Sequence, residues 1–388
     1  MHASEAARLA ALRSLGVLDT PREERFDRMV RLARRVFDVP MAAITLIDED
    51  RQWHKANAGF DGFREGPRHE SFCTHTVERP EILVVPDATQ DARFAGNPHV
   101  VGEPHVRFYA GEPLRAPGGE RVGALCLVDT RPHDLGESER ALLREMADWV
   151  ERELAHQQEM DHAVEVQRLL LPAAPPPLNG YELAGRYLPA RQVGGDFYDW
   201  YLLGDQLQIE VADVMGKGLA AAIIASSVRA LLRGGARFNE QGSAVTKAAA
   251  ALDPDLTGTS TFVTLFSARL DPATGDLAYV DAGHGLAGIA DGRGGYRRLE
   301  PSGPPLGVLP DLTYPAHTTR LAPGESLVVV SDGYLDFFPV VEEALQVAAD
   351  VVAACTSAEE VVASFADYAG ERSLADDATV LVLHRVGR

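Results

Sequence analysis

The chain has 388 residues, 46% hydrophobic and 24% charged, with a formal net charge of −20; at about 100–200 residues per domain, two or three domains are expected. So acidic a chain excludes a general nucleic-acid binder, although phosphate binding stays open where a metal supplies positive charge. With no apolar run of about 18 residues, no signal-peptide core, and Cys73, Cys126 and Cys355 far apart, a reduced cytoplasmic protein without a membrane partner is expected.

Residues 4–16 and 22–37 predict amphipathic helices. In the second, Phe26, Met29, Val30, Leu32, Ala33 and Val36 recur at helical spacing. Met41–Asp48, Glu81–Pro86 and Val122–Val128 predict strands, the last apolar enough to be central. Helix, strands, loops, strands and helix over residues 1–155 describe one α+β domain. Long stretches of this half carry a resemblance: Leu-Ala-Ala-Leu-Arg-Ser-Leu-Gly-Val-Leu-Asp-Thr-Pro (9–21), Arg-Gln-Trp-His-Lys-Ala (51–56), Ser-Phe-Cys-Thr-His (71–75), Val-Val-Pro-Asp-Ala (84–88), Arg-Phe-Tyr-Ala-Gly-Glu-Pro-Leu (107–114) and Gly-Ala-Leu-Cys-Leu-Val-Asp (123–129). Over roughly residues 4–155 they resemble a bacterial GAF domain. That implies a sensory module of antiparallel sheet and helices, usually non-catalytic; some such domains bind cyclic nucleotides, haem or bilins. The ligand here is unknown. Bilin-binding members usually place a histidine directly after the cysteine, whereas Thr74 separates Cys73 from His75. A buried cysteine packing beside a satisfied histidine is expected instead.

From Ser138 to Leu171 the pattern predicts one long helix, capped by Ser138 and ended by Pro172 and the run Pro175-Pro176-Pro177. Leu143, Val150, Val164 and Leu171 share a seven-residue spacing, with Gln157 at the intervening position. The linker helix 138–171 is therefore expected to pair two copies as a parallel coiled-coil homodimer, Gln157 fixing the register. The alternative is a single helix packed on its own domains.

Residues 172–388 form the second domain. Leu207–Ala212 predicts a strand ending at Asp213, and Leu219–Leu232 an alanine-rich helix just after a glycine turn. Thr261–Leu270 and Asp276–Ala282 predict a hairpin, Ser326–Val330 a strand ending at Asp332, and Thr379–His384 a strand after Asp377. That order predicts antiparallel sheets covered by helices. Four aspartates stand at these strand ends or glycine turns: Asp196 in Val-Gly-Gly-Asp-Phe-Tyr-Asp, Asp213 in Ala-Asp-Val-Met-Gly-Lys-Gly, Asp332 in Ser-Asp-Gly and Asp376 in Asp-Asp-Ala-Thr. A lone buried carboxylate is costly. Several that converge make sense around a hard divalent cation, and magnesium or manganese needs few protein ligands. Two such ions about 3.5–4 Å apart lower the pKa of water and clamp a phosphoryl group for in-line attack. Glycines at 194, 195, 216, 218 and 333 allow turns in which carbonyls also point inward. Taken singly, each aspartate also fits an ordinary turn or helix cap.

In order along the chain stand Gln-Arg-Leu-Leu-Leu-Pro (167–172), Tyr-Leu-Pro-Ala-Arg-Gln-Val-Gly-Gly-Asp-Phe-Tyr-Asp-Trp (187–200), Asp-Val-Met-Gly-Lys-Gly (213–218), Phe-Val-Thr-Leu-Phe (262–266), Asp-Ala-Gly-His (281–284), Gly-Pro-Pro-Leu-Gly-Val (303–308), Ser-Asp-Gly (331–333) and Asp-Asp-Ala-Thr (376–379). Over roughly residues 165–388 this set resembles the metal-dependent Ser/Thr protein phosphatases, the PPM family, in the bacterial SpoIIE-type branch. The resemblance implies an α-β-β-α sandwich of two antiparallel sheets, making the whole chain a two-domain α+β protein. It implies two divalent cations, manganese or magnesium. Asp213 would bridge them, with the Val214 carbonyl at the second site. Asp332 and Asp376 would complete the first, and Asp196 would act partly through bound water. Asp377 would orient its loop. Four positions depart from the common pattern. Asp281 stands where Asn is usual, Gly285 where Asn or Pro follows the histidine, Asp336 where Glu is common, and Lys217 where histidine is frequent. With an unperturbed pKa of about 10.4, Lys217 is a poor general acid and is expected to attract phosphate. His284 is expected to bond within its own turn, which leaves the general acid unassigned.

The implied function is a metal-dependent phosphoserine/phosphothreonine phosphatase under GAF control. In this branch the substrate is often a phosphorylated STAS-domain protein, an anti-sigma-factor antagonist. Two other readings stand beside it. Gly-Gly-Asp-Phe (194–197) is similar to the Gly-Gly-Asp-Glu-Phe signature of nucleotide cyclases, but lacks the Glu and keeps company with three foreign motifs. A non-catalytic scaffold would have no need of all four aspartates.

Overall fold

The computed structural model describes residues 3–60, 62–338, 340–369 and 374–387, whose contacts divide into two units, 1–162 and 163–388. The first unit contains α1 (Ala3–Ser14), α2 (Glu24–Val36), β1 (Met41–Ile47), β2 (Arg51–Ala58), β3 (Glu65–Pro67), α3 (Phe72–Val77), β4 (Leu83–Val85), α4 (Pro98–Val101), β5 (Phe108–Arg115), β6 (Arg121–Asp129) and the start of α5 (Glu137–Leu170). Its six strands form one antiparallel sheet in the order β3-β2-β1-β6-β5-β4. β1 and β6 are central, and their apolar runs are buried on both faces. Ala42, Ile44 and Leu46 pack with Phe26 and Val30 of α2 and with Leu143 and Val150 of α5. The alternate residues Met41, Ala43 and Ile47 pack with Phe72 and Cys73 of α3 and with Tyr109 and Cys126, as the period of two requires.

Three expectations change here. Leu32 and Val36 lie on the exposed side of α2. His75 is not the partner of Cys73: its ring meets Phe94 edge-on at 5.0 Å, while the Cys73 thiol accepts from the Tyr109 hydroxyl at 3.4 Å. The linker helix starts at Glu137, one residue early. Glu139, not Ser138, serves its start, accepting from the Gly136 amide at 2.8 Å, the reach-back half of a capping box. Four of the five positions of the seven-residue seam have contacts within the chain. Leu143 and Val150 lie in the first unit's core, Gln157 donates to Asp161 at 2.6 Å and accepts from Arg25, and Leu171 packs on the second unit's core. Leu143 and Val150 thus serve the first unit's own core, while Gln157, Val164 and Leu171 keep partial exposure.

The second unit continues with β7 (Tyr181–Leu188), β8 (Phe197–Leu203), β9 (Gln206–Val214), α6 (Leu219–Ala236), α7 (Gln241–Thr259), β10 (Val263–Leu270), β11 (Asp276–Ala282), β12 (Ala287–Ala290), β13 (Tyr296–Arg298), β14 (His317–Arg320), β15 (Ser326–Val330), a short 3₁₀ segment at Asp332–Phe337, α8 (Val341–Ala354), α9 (Ala358–Ala369) and β16 (Ala378–Arg385). Two antiparallel five-stranded sheets result, β14-β11-β10-β9-β8 and β13-β12-β15-β16-β7. Leu207, Ile209 and Val211 of one sheet meet Leu327, Val329, Leu381 and Leu383 of the other. The outward residues Ala212 and Val214 pack under α6 and α7, and Val328, Val330, Val380 and Val382 under α8 and α9. This is the helix–sheet–sheet–helix sandwich. Helix α6 is long and apolar enough by composition to cross a membrane, but Ala221, Ala225, Val228 and Leu232 pack it on its sheet.

Buried charge fastens α6 to that sheet. Arg229 and Arg233 reach Asp199 of β8 at 3.1 and 3.3 Å, and beside them Glu210 of β9 accepts from the Tyr201 hydroxyl at 3.0 Å. Burial, and next the Asp199 charge, push Glu210 up from 4.5 to about 8. A carboxyl raised on folding contributes stability below its unfolded value and loses it as pH rises through the folded one. Urea titrations of the full chain at several pH values should therefore show the second unit weakening between about pH 5 and 8. Glu210→Gln should flatten that slope; an unchanged slope would place its origin elsewhere.

Candidate metal centre

Two sheet ends meet where the acidic residues gather. Asp213 is the penultimate residue of β9 and pairs with Thr264, so the strand runs two residues past its expected end. The chain then turns through Gly216 and Gly218, with φ of 104° and 79°, conformations that favour glycine, and enters α6. Asp196 stands immediately before β8, which lies beside β9. In the other sheet Asp332 follows β15, and Asp376 and Asp377 precede the adjacent β16.

The electrostatics show that these groups feel one another. Burial pushes Asp213 up to about 7, with the charges of Asp332 and Asp376 adding to it. Asp332 is raised by burial and then by Asp376 and Asp336. Asp196 is buried, and burial followed by the Asp213 charge carries it well above the usual carboxylate range. The Thr379 hydroxyl donates to Asp196 Oδ2 at 2.7 Å, and Ser331 Oγ accepts from the Thr379 amide at 2.8 Å.

Mutually repelling carboxylates suit a hard divalent cation. Among the described residues, no three carboxylate, imidazole or thiolate groups stand close enough to enclose an ion. The aspartates therefore form no compact ligand cluster here, and the expectation of a divalent cation rests on their mutual charge. A Cβ on Gly195 would stand 2.6 Å from the Val214 carbonyl oxygen, so glycine there leaves that oxygen room. Asp377 has a different employment: its carboxylate accepts from the amides of Ala190 and Gly195, both at 2.8 Å. A Cβ on Gly194 would overlap that carboxylate, and one on Gly333 the Asp377 carbonyl.

The sequence did not single out Gln167 near the end of α5. Its amide donates to the Gly194 carbonyl at 2.7 Å and accepts from the Gly194 amide at 3.2 Å. It holds the same loop as Asp377, two residues before Asp196. One expectation is corrected. His284 Nδ1 bonds Thr264 Oγ1 of β10 at 3.1 Å rather than its own turn. The turn is instead held by Asp281, which accepts from the amides of His284 and Gly285 at 2.9 and 3.0 Å. An acceptor-only carboxylate serves that place. Lys217 has partners of its own: its ammonium lies 2.9 Å from Asp376 Oδ2 and also donates to the Ala375 carbonyl.

Two family profiles match the chain: that of the GAF domain over residues 21–154 and that of SpoIIE, Stage II sporulation protein E, over residues 204–386. Phosphoserine phosphatase RsbU of Bacillus subtilis is 26% identical over 243 residues, 58% of this chain and 70% of that protein. A cyclic di-GMP phosphodiesterase of Pseudomonas aeruginosa is 40% identical over 144 residues, covering 37% of this chain and 24% of that one. Protein IcfG of Synechocystis is 32% identical over 206 residues, covering 46% and 32%. The chain thus spans only 24% and 32% of the length of these last two relatives. Among solved structures, the RsbU and RsbW domains of Rv1364c from Mycobacterium tuberculosis superpose with a TM-score of 0.49 and 25% identity, over 55% of this chain and 63% of that one.

Lys217 gives the centre a cation of its own, which would compete with a divalent ion for Asp376. Lys217→Met is expected to raise manganese affinity several-fold in isothermal titration of the metal-free full chain. Equal or weaker affinity in that variant would show that the ammonium does not compete.

Proposed function

This chain carries a GAF domain and a SpoIIE-type PPM phosphatase domain, and from that premise we propose that it is a metal-dependent protein phosphatase acting on phosphoserine or phosphothreonine. One observation carries the reading: Asp213, Asp332 and Asp376 stand at strand ends of the two sheets, the charges of Asp332 and Asp376 raise the proton affinity of Asp213, and buried Asp196 also enters that field. Two divalent cations, manganese or magnesium, would supply there the acidity that activates water and the charge that offsets a phosphoryl group. Asp213 and the Val214 carbonyl would contribute to holding them, with Asp332 and Asp376, and Asp196 would act partly through bound water. Asp377 and Gln167 fix the loop that delivers Asp196. His284 is unsuited to protonate the leaving hydroxyl: it is buried, bonded to Thr264, and lowered by burial to about 4. That proton comes from water.

The likeness to a phosphoserine phosphatase over 70% of its length supports a phosphoprotein substrate. We take it to be a phosphorylated STAS-domain protein of the anti-sigma-factor-antagonist kind. The cyclase reading has lost its ground, since Gly-Gly-Asp-Phe leads into a strand of an antiparallel sandwich. Asp213→Asn should lower manganese-dependent phosphate release by orders of magnitude, both from such a phosphoprotein and from an aryl phosphate, with circular dichroism unchanged. Near-wild-type turnover would remove the assignment. If the wild-type chain with manganese releases phosphate from neither, the scaffold reading takes its place.

The regulatory route in this reading is α5, unbroken from Glu137 to Leu170 with Gln167 on the Gly194 loop. Inserting four residues near Gln157 rotates the helix phase by roughly 40°. Phosphatase activity in the full chain should shift in level or in response. If neither moves, α5 is only a tether.

A further inference from the structure

The first unit concentrates positive charge in one place. The chain as a whole has 37 lysines and arginines against 57 aspartates and glutamates, yet residues 22–35 hold six arginines and three carboxylates. α2 buries Phe26, Met29, Val30 and Ala33, so helical spacing turns Arg28, Arg31, Arg34 and Arg35 outward, and all four are exposed. Where α2 packs beside β2 there is a hollow of about 290 Å³, lined by Arg22, Arg31, Arg34 and Arg35 together with Asp27 and Asn57. We propose that this hollow binds a phosphate-rich anion, a group carrying two or more phosphoryl charges.

Three observations separate this hollow from an ordinary solvated face. First, four guanidiniums and one carboxylate line it, a net of three positive charges, and a cleft lined by one sign of charge focuses its field on a ligand of the other. Second, the carboxylates of the segment are already engaged. Glu23 pairs with Arg25 and Lys55, Glu24 with Arg31, and Asp27 with Arg22 at 3.6 Å. None is left to Arg34 or Arg35, which form no ion pair among the described residues. Third, the far wall is fixed in advance. Arg22 donates to the Asn57 carbonyl at 3.2 Å and to Asn57 Oδ1 at 3.0 Å, and the Asn57 amide donates to the Phe63 carbonyl at 2.6 Å. A fork held in place has less freedom to lose on binding.

The donors select the ligand. Guanidinium forks match phosphate oxygens in pairs. A single phosphate engages one or two forks, whereas a chain of phosphoryl groups reaches across both walls. The separate cavity of about 400 Å³ in the first unit, with Phe60, Phe63 and Phe72 in its walls, has no lysine or arginine lining it and offers phosphate no such partner. The same chemistry belongs to a soluble polyphosphate compound and to a phosphorylated lipid headgroup; in the second case the exposed Leu32 and Val36 of α2 would meet the bilayer. The site also lies one helix from the linker, since Arg25 of α2 is 2.6 Å from Glu153 of α5 and donates to Gln157.

The test is isothermal titration of the full chain with inorganic tripolyphosphate, in metal-free protein so that the acidic centre does not capture the probe. One saturable site is expected, weakened by added sodium chloride. Arg34→Ala/Arg35→Ala should lower affinity at least about tenfold, whereas replacing an exposed arginine of the second unit, Arg237→Ala, should leave it unchanged. Sedimentation with phosphatidylcholine vesicles, with and without a phosphatidylinositol phosphate, separates the two sources. Tripolyphosphate binding without vesicle binding assigns a soluble compound; vesicle binding that the double variant loses assigns a headgroup. Circular dichroism confirms that each variant is folded. The proposal is overturned if the folded wild-type chain binds neither probe, if citrate binds as tightly as tripolyphosphate, or if binding survives Arg34→Ala/Arg35→Ala.

Discussion

Two charge-assisted hydrogen bonds from one carboxylate hold the acidic centre together. Asp377 opens the approach to β16 in one sheet, and its oxygens accept the amides of Ala190 and Gly195, on the loop that enters β8 in the other. Bonds of this kind contribute about 1.5–3 kcal/mol each, and more is lost when a buried partner is left unpaired. Through them the spacing between Asp196 and the Asp332–Asp376 pair is set by backbone rather than by flexible side chains. Gly194 and Gly333 follow from the same arrangement, because the approach of Asp377 leaves neither a place for a Cβ.

Much of this was legible in the sequence. β1, β6, β9, β15 and β16 announce themselves as short apolar runs, and Asp213, Asp332 and Asp376 stand at the ends of the last three. What hid was structure whose side chains serve another purpose. β2 reads Arg-Gln-Trp-His-Lys-Ala-Asn-Ala, too polar for a strand, yet it is mostly buried because Lys55 has partners in Thr20, at 2.6 Å, and Glu23. α7 hid behind Gly242, Pro254 and Gly258, each a breaker signal that packing overrides. Gln167 and Asp199 gave no signal of their own, because their partners lie far along the chain.

The linker helix shows the limit of periodicity. Seven residues are close to two helical turns, so a stripe buried on the protein's own sheet and a seam against a second helix give the same spacing. Leu143 and Val150 obey that spacing, and their partners are Phe26, Ile44 and other residues of the first unit. Only the packing decides between the two. His284 repeats the lesson on a smaller scale: a histidine beside a glycine turn suggests a local bond, but the ring reaches Thr264 on the neighbouring strand while the Asp281 carboxylate holds the turn.

The chain's acidity acquires a local meaning at the centre. Carboxylates that raise one another's proton affinity store repulsion, which a proton, an ammonium or a divalent ion can relieve. All three solutions have a place in this structure. Burial and the Asp213 charge raise the proton affinity of Asp196, Lys217 lies against Asp376, and the mutual repulsion of Asp213 and Asp332 suits a divalent ion. These are competing ways of neutralising one field, so a small displacement of the Gly194 loop alters more than one carboxylate position. It changes which cation the site favours, and that makes the loop held by Asp377 and Gln167 an effective place for control.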